Sequence, residues 1–102
     1  GAAAVAPALP VVDSLRRVAG DGNEPVDRAP LRRIQTPQGF DFAAVLAAHR
    51  AAGDQEATDD VTVCEAAGHP VALVDGAAEA VKITYPADLE LVRALVRLEA
   101  TR

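Results

Sequence analysis

The chain has 102 residues, of which 50% are hydrophobic and 3% aromatic, and it contains neither Trp nor Met. This length is typical of a single domain, and the core of that domain must be built mainly from Ala, Val and Leu side chains. The formal net charge of −5 argues against nonspecific binding to nucleic acid or to an anionic membrane, because a protein that binds either one must present a basic face.

Cysteine content and hydropathy predict the compartment in which the protein works. Cys64 is the only cysteine, so the chain has no internal disulfide, and its place in an apolar helical pattern predicts a packed side chain rather than a nucleophile. No apolar run approaches the roughly 18 residues needed to cross a bilayer, and residues 2–8 lack the basic flank of a signal peptide. The sequence therefore predicts a soluble cytoplasmic protein.

The first third of the chain is predicted to contain strands and a sharp turn. Residues 1–8 are rich in Ala and are interpreted as the tail of a helix or a disordered end, and residues 10–15 as an apolar strand. The Gly-Asp-Gly-Asn run at residues 20–23 is the strongest turn signal in the chain and predicts a hairpin or projecting arm. Residues 31–35, apolar and basic, are a second strand candidate.

The run Thr36-Pro37-Gln38-Gly39 is predicted to form a loop of defined shape. Pro37 fixes its own φ angle and disfavours the helical region for Thr36, while Gly39 permits a turn that other residues resist. With Gln35 directly before it, the loop would present a hydroxyl and two amides at the mouth of the following helix. The alternative is a plain connector between a strand and a helix.

Two helices are predicted after this loop. The first begins at the N-cap Asp41 and ends at Gly53, and the second begins at the N-cap Thr58, passes through Cys64 and stops at residues 68–70. Residues at helical spacing give the first helix one apolar face, formed by Phe42, Val45, Leu46 and His49. On such a face, His49 is expected to be a partly buried core residue rather than a ligand or a base.

The last third is predicted to hold two short strands and a final helix. Residues 71–74 have the continuous apolar pattern of a strand covered on both faces, and residues 81–84 form a further short strand. The final helix opens near Pro86, and the residues expected to point inward from it are Leu89, Val92, Leu95 and Val96. Alternating helices and strands predict an α/β unit with a mostly parallel sheet. So few strands leave open edges, so the chain is expected to be incomplete as a fold.

Five segments, taken together and in order, resemble the C-terminal half of the 2-C-methyl-D-erythritol 4-phosphate cytidylyltransferase family; they are residues 10–17, 26–28, 35–40, 58–60 and 81–89. Members of that family transfer CMP from CTP to methylerythritol phosphate and release diphosphate, in the non-mevalonate pathway to isoprenoid precursors. The resemblance implies a Rossmann-like nucleotidyltransferase fold that works as a homodimer. It also implies that residues 15–35 form a β-arm, which reaches over the partner subunit and helps to build its acceptor pocket.

The resemblance carries site roles to five positions. Arg28 and Lys82 match the family's arginine and lysine that position methylerythritol phosphate, Thr36 and Thr58 match substrate-contacting threonines, and Ser14 stands where the family usually has a substrate-contacting Thr. Taken singly, each has an ordinary structural explanation, such as a surface charge for Arg28 or a helix cap for Thr58. The order of the motifs favours the functional interpretation only for the set as a whole.

The chemistry of the reaction suits these residue types. A phosphate monoester dianion must attack the α-phosphorus of CTP, and the two polyanions repel each other until cations intervene. Arg28 could hold the phosphate through its planar fork, while Lys82 could supply a mobile point charge. Such sites work by positioning and charge neutralisation, with little covalent chemistry from the protein.

Other features of the sequence depart from the family pattern. Ala80 stands where the family often has Asn, and the chain lacks the glycine-rich nucleotide loop and the metal-binding aspartate that the N-terminal half would carry. The Mg²⁺ ligands are therefore expected outside these residues, and the isolated chain is expected to be inactive. Two alternatives stay open: a non-catalytic oligomerisation fragment, and a sugar-nucleotide transferase with a different acceptor.

Overall fold

The computed structural model of the protein describes residues 2–54 and 59–101, which form a four-stranded sheet, a separate two-stranded hairpin and three helices. In chain order, the elements are β1 (Ala4–Pro10), β2 (Leu15–Ala19), β3 (Gly22–Val26), β4 (Arg32–Ile34), β5 (Gly39–Phe40), α1 (Phe42–Ala52), α2 (Asp60–Ala66), β6 (Val71–Asp75) and α3 (Pro86–Ala100).

β1 is the central strand of the larger sheet. β4 and β5 pair antiparallel with its two ends, with Ala8 opposite Ile34 and Val5 opposite Gly39, and β6 pairs with it in parallel. The α/β class is confirmed, but the expectation of a mostly parallel sheet is wrong for the described part of the chain, where the sheet is mixed. The chain passes from β1 to β4 through a hairpin without a crossover helix, so β4 runs antiparallel, whereas β6 is reached through α1 and α2.

The position of β1 corrects the prediction for the start of the chain. Residues 4–8, interpreted as part of a helix tail or a disordered end, belong to the central strand, and the predicted strand at residues 10–15 is mostly the connection that follows it. Ala4, Ala6 and Ala8 are buried and alternate with partly exposed residues, which is the period of a strand. Ala has a low intrinsic preference for strands, so here the packing environment overrides local propensity.

The predicted hairpin is confirmed. β2 and β3 pair with each other around Gly20, whose φ of 56° is a conformation that glycine adopts readily, and Arg17 forms an exposed ion pair with Glu24 at 2.7 Å. In the described residues this hairpin is a sheet of its own and shares no ladder with the rest. The arm is shorter than the predicted residues 15–35, because Arg32–Ile34 pairs with β1.

The core is small and is made of small side chains, as the composition predicts. It lies between the sheet and the first two helices, and its buried members are Ala4, Ala6, Ala48, Val61, Val63 and Cys64. Cys64 is fully buried, as expected, and this burial raises the pKa of its thiol, with a further contribution from the nearby Asp60 carboxylate. The thiol is therefore a packing group and not a thiolate at neutral pH.

The boundaries of α1 agree with the sequence, but its apolar face does not. Asp41 caps α1, where its carboxylate accepts a hydrogen bond from the Ala44 amide at 3.0 Å, and α1 stops at Gly53 as predicted. The apolar face is rotated from its predicted position: Phe42 is 76% exposed, and the exposed His49 contacts Asp60 at 2.9 Å instead of joining the core. The face that packs includes Ala48, because small residues allow α1 to approach α2 closely.

The last third of the chain leaves a large apolar surface open in the described structure. β6 is not covered on both faces as predicted, since Leu73 and Val74 are each 51% exposed. α3 forms as predicted, but none of its described residues is buried, and Val96 is 63% exposed. The segment 81–84 is irregular instead of a strand. This open surface agrees with the expectation that the chain is incomplete as a fold. Among the described helices, none has the length and apolarity required to cross a membrane.

Candidate functional site

A polar cleft of about 410 Å³ lies beside the end of β4. Its walls come from three segments: β4 with the loop after it, the start of α2, and the irregular stretch that precedes α3. The polar side chains that line it are Arg33, Gln35, Thr36, Gln38, Asp59 and Lys82. Two of these residues, Thr36 and Lys82, were predicted from the sequence to contact the substrate, and the structure brings them to one cleft from positions 46 residues apart in the chain, 36 and 82.

The charges of the lining suit an anion. Arg33 and Lys82 are cationic and Asp59 is the acidic lining residue, so the described lining is net positive in a chain whose formal net charge is −5. A local cluster of cations of this kind is what an anionic small molecule needs in an acidic protein. A second groove, of about 250 Å³ on α3, has an apolar lining with the acidic residues Glu79 and Glu99, so it does not suit an anion.

The side chain of Asp59 fixes the wall that α2 contributes. Its carboxylate accepts hydrogen bonds from the Thr62 amide at 3.0 Å and the Thr62 hydroxyl at 2.6 Å, and from Gln38 Nε2 at 3.3 Å. Burial raises the pKa of Asp59, but the hydrogen bonds from Thr62 and Gln38 together outweigh burial and lower this pKa below its ordinary value. Asp59 is therefore ionised at neutral pH and acts as the N-cap of α2.

Replacing Asp59 with Ala is expected to lower the free energy of unfolding by about 1 kcal/mol at pH 7, because α2 loses its N-cap. The pKa of Asp59 is lower in the folded than in the unfolded chain, so this stabilisation is complete above the unfolded value and is lost as the pH falls through the folded value. Urea denaturation of the two proteins at pH 7 and at about pH 3 should show the difference shrink in acid.

The control for this measurement is Asp54→Ala, which removes an exposed carboxylate that caps no helix. We expect it to change the free energy of unfolding by less than about 0.5 kcal/mol. An Asp59→Ala effect that equals that of the control, or that grows in acid, would contradict the capping role.

Lys82 lies between two backbone segments that are each held by hydrogen bonds with a side chain. On its N-terminal side, the Gln35 side chain binds the backbone of Ala77 and Ala80. On its C-terminal side, Asp88 accepts hydrogen bonds from the amides of Thr84 at 3.0 Å and Tyr85 at 2.9 Å, and these bonds lower the pKa of Asp88. The position of Lys82 is thus set by side-chain contacts and not by a strand ladder.

Two other predicted site residues, Arg28 and Ser14, are not among the described residues that line this cleft. Arg28, just after the hairpin, donates a hydrogen bond from Nη1 to the Val12 carbonyl at 2.7 Å, and the exposed Ser14 lies in the same connection as Val12. Thr58 lies outside the described residues, and the N-cap that the sequence assigned to it is provided by Asp59. The convergence of Arg28 and Lys82 on one phosphate stays a prediction.

Sequence reasoning missed four polar residues of the lining: Arg33, Gln35, Gln38 and Asp59. Two of them, Gln35 and Gln38, belong to the motif around Thr36, so their amides were visible, but their partners are 21 to 45 residues away in the chain. The described residues hold no group of three or more His, Cys, Asp or Glu that could bind a metal. They do not fit Mg²⁺, and we derive no step through it.

Comparison with known proteins supports the family that the motifs resemble. Residues 1–98 match the sequence model of the family described as 2-C-methyl-D-erythritol 4-phosphate cytidylyltransferase, IspD. The chain is 56% identical over 94 residues to the bifunctional enzyme IspD/IspF of Rhodospirillum rubrum, covering 91% of this chain and 24% of that protein. It is 48% identical over 98 residues to the 2-C-methyl-D-erythritol 4-phosphate cytidylyltransferase of Cereibacter sphaeroides strain ATCC 17029, covering 93% and 42%.

The fold is also similar to solved structures. The crystal structure of 2-C-methyl-D-erythritol 4-phosphate cytidylyltransferase from Thermus thermophilus matches 94% of this chain with a TM-score of 0.84 and 45% identity. That match covers 49% of the Thermus chain, so this chain spans at most about half the length of the relatives described here. The motifs, the sequence matches and the fold agree, and the chain belongs to the 2-C-methyl-D-erythritol 4-phosphate cytidylyltransferase family.

Proposed function

We propose that the chain is the C-terminal, acceptor-binding and dimer-arm part of an enzyme that transfers CMP from CTP to 2-C-methyl-D-erythritol 4-phosphate and releases diphosphate. The observation that carries this proposal is that Thr36 and Lys82 line one cationic cleft together with Arg33. A phosphate monoester with several hydroxyls suits this lining, since Lys82 and Arg33 can neutralise the phosphate while the Thr36 hydroxyl and the Gln38 amide bind hydroxyl groups.

The reaction needs a nucleophile that is held in place. The acceptor's phosphate oxygen attacks the α-phosphorus of CTP, a bond forms between them, and the bond to diphosphate breaks. Lys82 lowers the repulsion between the two anions and keeps the attacking oxygen in line, which is the principal contribution a protein makes to phosphoryl chemistry of this kind. No residue of this chain is required to form a covalent bond with the substrate.

We propose further that the acceptor site is completed by the arm of a second subunit. β2 and β3 share no ladder with the main sheet in the described structure, and Val18 on β2 is 79% exposed, so the hairpin offers a surface for another chain. Arg28 follows this hairpin, and its hydrogen bond to the Val12 carbonyl fixes the guanidinium at the arm's base. In a two-fold dimer, exchange of arms would bring Arg28 of each subunit to the Lys82 cleft of the other.

The remaining parts of the catalytic machinery are assigned to chain outside these residues. The sequence has no glycine-rich loop for the CTP phosphates, and the Mg²⁺ ligands are predicted to belong to the preceding half of the family fold. The exposed apolar residues of β6 and α3, such as Leu73 and Val96, suit a contact with that half. A cytoplasmic site of action, expected from the single cysteine and from the lack of a long apolar run, stays a prediction.

Reconstitution tests this proposal. The chain alone is expected to release no diphosphate from CTP and methylerythritol phosphate, whereas mixing it with the part of the Thermus enzyme that precedes the matched region should restore release. Diphosphate formation is followed by a coupled assay, with each half alone as the control. Turnover by the 102-residue chain alone, or restoration only by the part that follows the matched region, would contradict the roles assigned here.

Further measurements separate the two alternatives from this proposal. A non-catalytic oligomerisation fragment would form dimers in solution, measured by mass, without binding methylerythritol phosphate in a titration. A transferase for a different acceptor would release diphosphate in the reconstituted enzyme with another sugar phosphate and not with methylerythritol phosphate.

A further inference from the structure

We propose that Gln35 is a positioning residue, whose side-chain amide holds the loop that presents Lys82 to the cleft. The effect of Gln35 on the reaction rests on the proposed function, whereas its contacts with the loop do not depend on it. Gln35 Nε2 donates hydrogen bonds to the carbonyls of Ala77 at 2.8 Å and Ala80 at 3.1 Å. Its Oε1 accepts a hydrogen bond from the Ala77 amide at 3.1 Å. One side chain thus occupies three backbone groups of a loop that lies 42 to 45 residues away in the chain.

Gln35 can hold this loop because its own backbone is fixed to the sheet. The Gln35 amide donates to the Pro7 carbonyl on β1 at 2.8 Å, and the Gly76 amide, where the loop begins, donates to the Ala8 carbonyl at 2.9 Å. Loop and side chain are therefore both anchored on neighbouring residues of β1. After Gly76, the described loop has only local backbone bonds, from Ala80 to Ala77 and from Val81 to Glu79, so Gln35 supplies the connection of residues 77–80 to the sheet.

The residue at position 76 shows how closely the amide and the loop fit. A Cβ atom at Gly76 would clash with Gln35 Oε1 and would lie 3.2 Å from the Ala8 carbonyl oxygen. Glycine at this position therefore leaves room for the Gln35 amide where the structure places it. Position 35 is restricted by its hydrogen bonds. A side chain that binds two carbonyls and one backbone amide must have both donors and an acceptor, and an ionised carboxylate has no donor.

The side chain of Gln38 connects Gln35 to the opposite wall of the cleft. Gln38 Nε2 contacts the Gln35 carbonyl at 3.4 Å and the Asp59 carboxylate at 3.3 Å, so the start of α2 and the Lys82 loop are connected through the segment between these glutamines. Lys82 follows Ala80 by two residues, and a displacement of the Ala80 carbonyl would move the ammonium that the proposed reaction requires. This is how a residue can affect the reaction without contacting the substrate.

Amide hydrogen exchange of the 102-residue chain tests directly whether the Gln35 side chain holds the loop. In Gln35→Glu, exchange at residues 77–81 is expected to become about tenfold faster or more, because the carbonyls of Ala77 and Ala80 lose their donors. Exchange in α1 and α2 should stay unchanged. The matched control is Asn23→Asp on the hairpin, which makes the same amide-to-carboxylate change and should leave residues 77–81 as they are.

Gly76→Ala provides a second test that does not depend on a new charge. With Gln35 present, the added methyl should displace the amide and speed exchange of the loop about tenfold, whereas in a Gln35→Ala chain it should add less than about twofold. Unchanged exchange at residues 77–81 in Gln35→Ala, or an equal effect of Gly76→Ala in both backgrounds, would overturn the proposal.

The consequence for Lys82 is tested in the reconstituted enzyme. Gln35→Ala is expected to raise KM for methylerythritol phosphate about tenfold with a smaller change in kcat, and to have no effect when Lys82 is already Ala. An equal loss in the Lys82→Ala background would overturn the positioning role, because Gln35 would then act on the fold in general. Absence of turnover with the unaltered chain would refute the proposed function instead, and the exchange result would still decide whether Gln35 holds the loop.

Discussion

Replacing Lys82 with Ala is expected to lower kcat/KM for methylerythritol phosphate by about a hundredfold or more in the reconstituted enzyme. Lys82 is one of two cations that line the described cleft, and it lies on backbone that Gln35 and Asp88 hold in place. In the proposed reaction, its charge would offset the repulsion between the acceptor phosphate and CTP, which is strongest as the two approach. Both kcat and KM should therefore change, as measured by initial rates of diphosphate release over a range of acceptor concentrations.

Two further variants show whether the loss of kcat/KM comes from removing the positive charge at position 82. Lys82→Arg keeps a cation but changes its shape and reach, so a partial recovery is expected. Arg50→Ala removes a positive charge from α1, outside the cleft lining, and its kcat/KM should stay within about twofold of the parent. If Lys82→Ala behaved like Arg50→Ala, the cleft would not be the acceptor site.

Mixing two inactive variants is expected to restore activity if the acceptor site is shared between subunits. Arg28→Ala and Lys82→Ala should each be strongly impaired as homodimers. In a mixed dimer, one site combines both damaged positions, while the other has an intact arm and an intact cleft. Random mixing gives half mixed dimers with one working site each, so about a quarter of the parent activity should return.

A matched pair of variants gives the control for this result. Thr36 and Lys82 line the same cleft within one chain, so mixing Thr36→Ala with Lys82→Ala leaves every site with one damaged residue and should restore nothing. Recovery in this control, or its absence in the Arg28 and Lys82 mixture, would show that Arg28 does not act across a dimer. The measurement uses the same diphosphate assay after the subunits have been unfolded and refolded together.

The parts of the fold that could be predicted from the sequence are those with local signals. The Gly-rich turn at residues 20–23 specified the hairpin, and Asp41 with Gly53 specified both ends of α1. These residues act through backbone conformation and capping, which need no distant partner. The α/β class followed from the same alternation of helices and apolar runs, and the solved structures of the family confirm it.

The parts that failed depend on contacts between distant segments. β1 was missed because its buried residues are alanines, whose strand character comes only from the helices and strands around them. The strand expected at residues 81–84 does not form in the described structure, where side-chain contacts from Gln35 and Asp88 flank that segment. The cleft divides in the same way: the motif resemblance predicted Thr36 and Lys82, which line it, whereas Gln35 was visible in the motif but its contacts with Ala77 and Ala80 were not.

The three alanines of β1 have a consequence for the shape of the cleft. Ala4 and Ala6 lie in the same buried cluster as Val61, near the beginning of α2, and α2 begins at the residue after Asp59. The spacing between helix and sheet is therefore fixed by single methyl groups, and Asp59, which lines the cleft, stands at the start of that helix. A larger side chain at one of these positions would shift the helix outward. Such a substitution would change the width of the cleft beside Asp59 without altering any described residue of its lining.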